Sequence, residues 1–208
     1  LSSGNLFTMS EKSEKISDKV NLEKENSKSV KASKNVKKLS DVITDNVYDR
    51  LEKLNSPDPA IRDQFKGFTT GFSDLDYLTT GFNKSDLTII GARPAMGKTS
   101  FALALARNAA IMAKKKVVFF SLEMTKEQLA QRILSTEARI RSNKMRTGQL
   151  DDGDWLRLSK AVEVFSNSEL YLDDTSNITV NEMKAKIRRL RDVDLVVIDY
   201  LQLMKSGT

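Results

Sequence analysis

A glycine- and proline-containing stretch, GARPAMGKTS at residues 91–100, has the residue types of a phosphate-binding loop. The usual pattern is G-x-x-x-x-G-K-[ST], and its opening position falls here on Ala92, with Gly91 one residue early. That position mainly needs a small side chain at the turn, which Ala92 supplies if its φ stays negative. The stretch therefore predicts a site for the phosphates of a nucleotide.

Each residue type in this loop has a chemical reason. Lys98 is expected to reach the β and γ phosphates, and the Thr99 hydroxyl to ligate Mg²⁺. Pro94 makes the turn rigid. The apolar stretch after the loop predicts a helix, whose free N–H groups and positive dipole end bind the anion. The residues predicted to contact the nucleotide are Ala92, Arg93, Pro94, Ala95, Met96, Gly97, Lys98, Thr99 and Ser100.

Two carboxylates stand where a nucleotide hydrolase needs them. Asp199 ends the apolar run LVVID, and a carboxylate at the carboxyl end of a buried strand lies beside the ligand crevice of an α/β sheet. We expect it to hold Mg²⁺, through water. Glu123, in VVFFSLEM, follows another apolar run and is predicted to accept the proton of an attacking water.

Alternating strand and helix patterns must position these side chains. Four short apolar runs predict buried parallel strands, at 87–90, 117–120, 170–172 and 195–198. Helical patterns lie between them, near 98–113, 125–141, 151–166 and 179–191. This alternation predicts a three-layer α/β fold with a mainly parallel sheet.

Local signals fix two of the helix starts. Thr125 with Gln128, and Thr179 with Glu182, have the spacing of capping boxes, and apolar pairs flank both as hydrophobic staples. Trp155, on the helical segment 151–166, is interpreted as core packing.

Composition excludes several kinds of chemistry. The chain has 208 residues with no cysteine and no histidine, so disulfides, thiolate or imidazole metal sites and histidine acid–base catalysis are ruled out. The net charge is +6, and nine lysines against five acids place +4 of it within residues 1–40. Residues 10–39 are rich in Ser, Lys, Glu and Asn, which favours a flexible linker over a basic arm on DNA.

Residues 40–54 predict a short amphipathic helix, with Ser40 as its cap and an apolar stripe that includes Ile43, Val47 and Leu51. The stripe has to pack somewhere. From the pattern alone, its own domain and a neighbouring subunit are equally good partners.

With these motifs identified, the chain resembles the RecA-like ATPase domain of DnaB-type replicative DNA helicases. The resemblance covers nearly all of residues 68–204 and rests on ARPAMGKT, SLEM, RTGQLDDGDW and IDYLQLM. It implies three segments: an N-terminal remnant with a Lys/Ser-rich linker (1–39), a linker helix (40–56) and a partial ATPase domain (57–208). It also implies Ala or Gly at the first loop position.

The resemblance implies the activity and its partners. ATP and Mg²⁺ would bind between subunits of a ring hexamer that moves 5′–3′ on single-stranded DNA in the cytoplasm, with primase and a helicase loader as partners of the full-length protein. Lys98 and Glu123 would be catalytic, and Thr99 and Asp199 would be the metal ligands. Arg132 and Gln202 would lie near the nucleotide. The linker helix would dock on the next subunit.

The resemblance also predicts more chain after Thr208, with the DNA-channel loops and the arginine finger. We therefore expect the 208 residues to be a fragment that does not unwind DNA by itself.

Two other classes of protein share the phosphate loop. One is a RecA-like ATPase that uses nucleotide to drive assembly without unwinding; SLEM and IDYLQLM favour the motor over it. The other is a small-molecule kinase, for which no substrate pocket or lid arginines are marked.

Overall fold

The computed structural model describes residues 37–205, so the predictions for residues 1–36 lie outside the described part of the chain. The chain divides into two compact units between Phe65 and Lys66. We describe each unit by itself.

The first unit is helical. An α-helical turn, α1 (Leu39–Val42), continues into a π-helical segment (Ile43–Tyr48) and then α2 (Asp49–Leu54). A second helix, α3 (Pro59–Phe65), follows, and the Lys53 ammonium lies 5.0 Å from the centre of the Phe65 ring. The predicted helix is therefore present, although its centre is π-helical rather than α-helical.

The prediction that Ser40 caps this helix is wrong. The helix begins at Leu39 with Lys38 in the cap position, so Ser40 lies inside the first turn. There its hydroxyl donates to the neighbouring Asp41 carboxylate over 3.2 Å instead of accepting a backbone N–H. The apolar stripe is exposed, since about half of the Ile43, Val47 and Leu51 surface remains accessible.

The second unit is built on a parallel sheet of three strands in the order β2-β1-β3. The strands are β1 (Val117–Ser121), β2 (Leu170–Asp173) and β3 (Leu195–Asp199). β1 lies in the centre, and all five of its residues are buried. A central parallel strand is covered on both faces, which explains why VVFF reads as a continuous apolar run.

Helices cover both faces of this sheet, so the unit has the predicted three layers. They are α4 (Ser73–Thr79), α5 (Lys98–Ile111), α6 (Lys126–Glu137), α7 (Ser142–Thr147), α8 (Asp152–Ser166) and α9 (Val180–Leu190). Alternate β1 side chains point to opposite faces. Val117 and Phe119 pack with α5 and α6, whereas Val118 and Phe120 pack with Ile178 and Met183 at α9.

Residues 87–90 were predicted to be a strand, and the structure shows none there. Leu87 is 85% and Ile89 76% exposed, and no described residue pairs with this segment. A short apolar run becomes a strand only where a neighbouring strand supplies hydrogen-bond partners, and the sheet ends at β2 and β3. The segment leads directly into the phosphate loop without strand pairing among the described residues.

Both predicted capping boxes are present. The Thr125 hydroxyl accepts from the Gln128 N–H over 3.4 Å, and the Thr179 hydroxyl from the Glu182 N–H over 3.3 Å. The structure adds a third box that was not predicted, in which the Asp151 carboxylate accepts from the Asp154 N–H over 2.7 Å. α6 ends at Glu137, four residues before the predicted end.

The interpretation of Trp155 as a core residue is wrong. Its side chain is 61% exposed, whereas Leu158 and Ala161 on the same helix are buried in a cluster with Ile140. Helix α8 turns its Leu158 face inward, and Trp155 lies outside that face. The three-residue spacing alone could not tell which of the two apolar positions faces inward.

Candidate nucleotide-binding site

The predicted phosphate loop is a turn that ends at the first residue of α5. Gly97 has φ +84°, a left-handed conformation, and α5 begins at Lys98. Ala95 also has a positive φ, of 64°, whereas Ala92 does not, as its place in the motif requires. The backbone therefore brings the loop onto the open N-terminus of a 14-residue helix, where the free N–H groups favour an anion.

Lys98, Thr99 and Asp199 lie together at this helix start. The Thr99 hydroxyl donates to Asp199 Oδ2 over 2.6 Å, and Lys98 Nζ lies 3.1 Å from Asp199 Oδ1. One carboxylate thus contacts both loop side chains from a position one hundred residues later in the chain. The first two residues of α5 and the end of β3 form a single polar cluster.

The sheet register places Asp199 in that cluster. Asp199 is the last residue of β3 and pairs with Ser121 at the end of β1, and its carbonyl accepts from the Leu122 N–H over 2.8 Å. Only 4% of the Asp199 surface is exposed. A buried carboxylate needs partners, and here Lys98 and Thr99 supply them.

Tyr200 adds an aromatic surface to the cluster. Lys98 Nζ lies 4.1 Å from the centre of the Tyr200 ring, within cation–π range. Tyr200 was not among the residues predicted to contact the nucleotide. Its position directly after Asp199 was the only available signal.

Glu123 lies two residues beyond the end of β1, on the same edge of the sheet as Asp199. Its side chain is exposed, and among residues 37–205 no hydrogen bond or ion pair holds it. Glu123 thus lies at the same edge of the sheet as Asp199, without a hydrogen bond or ion pair to Lys98, Thr99 or Asp199.

Two further predicted residues lie on the surface. Gln202 is exposed in the short 3₁₀ helix (Leu201–Leu203) that follows β3. Arg132 is exposed on α6 and lines a cleft of about 940 Å³ between α5, α6 and α7. Ser100 from the phosphate-loop motif lines the same cleft, so Arg132 and one loop residue share a concavity.

Contacts that hold α5 in place were not foreseen. Arg107 Nε donates to Glu137 over 2.5 Å and ties α5 to α6. Asn108 is buried, and its side-chain amide donates to the Thr70 carbonyl over 3.0 Å. Gly71 lies against the same amide, where an added Cβ would meet Asn108 Nδ2 at 2.3 Å. These contacts fix the helix whose first turn carries Lys98 and Thr99.

Asp76 organises the segment that contacts Asn108. Its carboxylate accepts from the Thr70 N–H over 2.8 Å, from the Thr70 hydroxyl over 2.6 Å and from the Thr69 hydroxyl. Burial alone would raise the pKa of Asp76, but the hydrogen bonds from Thr69 and Thr70 outweigh it and lower the pKa. The TTGFSDLD sequence is therefore a support for α5.

The donor set suits a hard cation only if the nucleotide takes part. No group of three or more acidic side chains within residues 37–205 could hold a metal by itself. Thr99 and Asp199 instead offer one hydroxyl and one carboxylate in contact, and Mg²⁺ is usually bound by one or two such oxygens, water and phosphates. These residues fit a Mg²⁺–nucleotide complex.

Across residues 37–205, every helix is too short or too polar to cross a bilayer.

Comparison with known proteins gives one consistent match. The family model "DnaB-like helicase C terminal domain" matches residues 67–208. The chain is 44% identical over 170 residues to "Replicative DNA helicase DnaB" of a Nostoc species, covering 79% of this chain and 19% of that protein. It is 42% identical over 174 residues to the protein of the same name from Geobacillus stearothermophilus, covering 82% and 37%. The chain thus spans between a fifth and two fifths of these relatives.

The fold has a counterpart among solved structures. The structure described as "The Structure Of A DnaB-Like Replicative Helicase And Its Interactions With Primase" superposes with a TM-score of 0.70 at 27% identity. The match covers 96% of this chain and 50% of the solved chain. The second unit therefore has the α/β fold of this helicase domain, as the sequence predicted.

Proposed function

This chain belongs to the family of the DnaB-like helicase C-terminal domain, and from that premise we propose that it is the ATP-binding part of a replicative DNA helicase. In this proposal ATP hydrolysis drives 5′–3′ translocation of a ring hexamer along single-stranded DNA. The observation that carries it is the contact of Lys98 and Thr99 with Asp199 at the N-terminus of α5.

Backbone and side-chain donors both take part in binding the phosphates of ATP. The turn 91–97 and the first N–H groups of α5 surround the phosphates, and the helix dipole favours their negative charge. Lys98 then exchanges its ion pair with Asp199 for the β and γ phosphates. The exchange keeps the ammonium paired in both states, so little desolvation is added.

Thr99 and Asp199 would hold Mg²⁺ when nucleotide binds, with Asp199 acting through water. Bound Mg²⁺ would neutralise the negative charge on the β and γ phosphates. The residues themselves keep the two oxygen ligands together, because the buried end of β3 fixes Asp199 and the first turn of α5 fixes Thr99.

Glu123 is the proposed base. It accepts a proton from the water whose oxygen attacks the γ-phosphorus, and the bond from that phosphorus to ADP breaks. Its position past the end of β1 places it on the edge of the sheet where Asp199 lies. Arg132, which shares a cleft with Ser100, and Gln202, three residues past Asp199, are proposed to contact the nucleotide.

The helix of residues 39–54 is proposed to dock on the neighbouring subunit of the ring. Its exposed apolar stripe needs a partner surface, and acidic residues Asp41, Asp49 and Glu52 accompany it. The cleft between α5, α6 and α7 offers apolar side chains such as Leu103 together with Arg146. Its apolar and charged groups therefore complement those of the helix from a second copy.

Other partners follow from the relatives. The solved DnaB-like helicase was studied with primase, and we propose primase and a helicase loader as partners of the whole protein. Single-stranded DNA is the proposed track, and the replisome in the cytoplasm the proposed location.

The nucleotide site can be tested by titrating the chain with a fluorescent ATP analogue, with and without Mg²⁺. Lys98→Ala should lower affinity by at least about tenfold, since a hydrogen bond to a charged group contributes roughly 1.5–3 kcal/mol. Asp199→Asn should remove most of the Mg²⁺ dependence. Lys184→Ala, on the exposed face of α9, is the control for loss of one positive charge. Equal affinity in all four proteins would reject the site.

A further inference from the structure

A second concavity of about 410 Å³ lies away from the phosphate loop, where the segment after α6 meets α7 and the start of α8. Four cationic side chains line it, from Arg139, Arg141, Lys144 and Arg157, and the only acid among its lining residues is Asp154. None of these residues belongs to the proposed nucleotide site. Like charges gathered around one pocket repel each other unless an anion is present to balance them.

The buried Asp154 carboxylate fixes two of the four cations. Asp154 is 1% exposed, and its two oxygens bind Lys144 Nζ at 2.7 Å and Arg157 at 2.5 Å. Asp151 contacts Lys144 as well, at 3.1 Å. These bonds hold the Lys144 ammonium and the Arg157 guanidinium at the pocket and leave further N–H donors on each.

The other two cations lie on a segment whose backbone is held by hydrogen bonds to Ser135. Arg139 and Arg141 are exposed and flank Ile140, which is 4% exposed. The Ile140 N–H donates to the Ser135 carbonyl over 3.0 Å, and the Ser135 hydroxyl donates to the Ile140 carbonyl over 2.6 Å. A rigid backbone therefore presents both arginines.

Within the described part of the chain, which leaves out the side chains of residues 63 and 64, the guanidinium groups of Arg139 and Arg141 make no hydrogen bond or ion pair. Lys144 and Arg157 share their charge with Asp154, so the two arginines carry the uncompensated charge of the pocket. A planar guanidinium matches phosphate oxygens with two parallel hydrogen bonds, which makes phosphate a better partner than a single carboxylate. Lys144 and Arg157, which Asp154 holds in place before binding, lose little entropy when the anion arrives.

We propose that this basic pocket, lined by Arg139, Arg141, Lys144 and Arg157, binds a phosphate group. The phosphate comes either from the backbone of a nucleic-acid strand or from a free phosphate compound. The pocket contacts phosphate oxygens and no base, so it binds without sequence preference. The proposal is independent of the proposed ATP site, because the pocket shares no residue with it.

The test compares two double variants with the same loss of charge. Arg139→Gln with Arg141→Gln removes the two uncompensated cations, and Arg188→Gln with Arg189→Gln removes two exposed arginines at the end of α9. All proteins carry Lys98→Ala to weaken phosphate binding at the loop. Arg139→Lys with Arg141→Lys keeps the charge but loses the planar fork, which guards against a folding defect of the Gln variant.

The first readout is the amide NMR spectrum of the ¹⁵N-labelled full chain titrated with inorganic phosphate. We expect shifts in residues 139–144 and at Arg157, their loss in the Arg139/Arg141 Gln variant, and their retention in the Arg188/Arg189 variant. The absence of shifts at the pocket, or equal shifts in both Gln variants, would overturn the proposal.

The second readout identifies the source of the phosphate. Binding of a fluorescein-labelled oligothymidylate is measured over a range of salt concentrations. If a nucleic-acid strand is the source, the slope of log K for binding against log salt concentration becomes smaller in magnitude by about 1.4 in the Arg139/Arg141 Gln variant than in the control. Each contact with a single-strand phosphate contributes about 0.7 to that slope. Equal slopes together with phosphate shifts at the pocket would support a free phosphate compound.

Discussion

Single residues decide whether the loop can reach the helix start, and Gly97 is the clearest case. With φ +84° it holds a left-handed conformation, and nothing lies within 4 Å of an added Cβ. Gly97→Ala should therefore cost about 1–2 kcal/mol from the backbone alone, with no steric contribution. Urea unfolding would measure this. Gly91→Ala is the matched control, because Gly91 also has open space and no positive φ, and it should be nearly neutral.

A charged residue, Asp154, gives a prediction about pH. The hydrogen bond from Lys144 is the main cause that lowers the pKa of Asp154 to about 2, below its usual range, and the Asp151 N–H and Arg157 contribute. A lowered folded pKa stabilises the fold above the unfolded pKa, and this contribution is lost as the pH falls from about 4 towards 2.

We therefore expect the native chain to be more stable than Asp154→Asn at neutral pH, and the difference to shrink as the pH falls from about 4 to 2. Thermal unfolding across this pH range measures it. Asp152→Asn, which removes an exposed acid next to the same helix start, is the matched control. A stability difference as large at pH 2 as at neutral pH would contradict the assignment.

At the scale of elements, the packing of the central strand β1 against α5 and α6 supports the candidate site. The Phe119 side chain, on β1, is fully buried against the helices α5 and α6. Phe119→Ala should cost about 3–5 kcal/mol, because it removes apolar contacts and leaves a cavity. Val196→Ala on β3, where the side chain is 37% exposed, should cost clearly less. Denaturant unfolding of both variants compares the two costs.

Strand pairing also explains why the strand predicted at residues 87–90 is absent. β1 and β3 exist because each has a neighbour in register, and the register delivers Asp199 beside Ser121. The run at 87–90 has the same residue types and no described partner, so it forms no strand, and Leu87 and Ile89 stay exposed. β-propensity describes fit to a sheet surface, and it does not create that surface.

At the scale of the whole molecule, the exposed stripe of residues 39–54 predicts assembly. Leu51 is 58% exposed, and we expect Leu51→Asp to weaken a nucleotide-dependent oligomer because a charge would enter an apolar contact. Light scattering with and without Mg²⁺-ATP, at several concentrations, measures the mass. Asn46→Asp adds the same charge at an exposed position of the same helix and should change the mass much less.

Both outcomes of that measurement are informative. Growth of the native chain with nucleotide, lost in Leu51→Asp only, supports docking in trans. A native chain that stays monomeric under all conditions would contradict assembly by these residues, while leaving the chemistry of Lys98, Thr99, Glu123 and Asp199 to be tested by nucleotide binding.

The sequence by itself determined the local features of this protein. The phosphate-loop pattern and the capping boxes at Thr125 and Thr179 depend on neighbours in the chain, so their residue types and spacing were enough to predict them. The apolar runs also located three of the four predicted strands, although the strands themselves form only by pairing with one another. The family resemblance added the proposed roles of Lys98, Thr99 and Asp199, which remain predictions.

Only the tertiary structure decided what depends on distant parts of the chain. It brought Asp199 onto Thr99 through the register of β3 on β1, left residues 87–90 without a partner, and exposed Trp155 while burying Leu158. It also gathered Arg139, Arg141, Lys144 and Arg157 around a buried carboxylate. Periodicity along the chain gives the spacing of side chains, but which side of an element is covered depends on what packs against it.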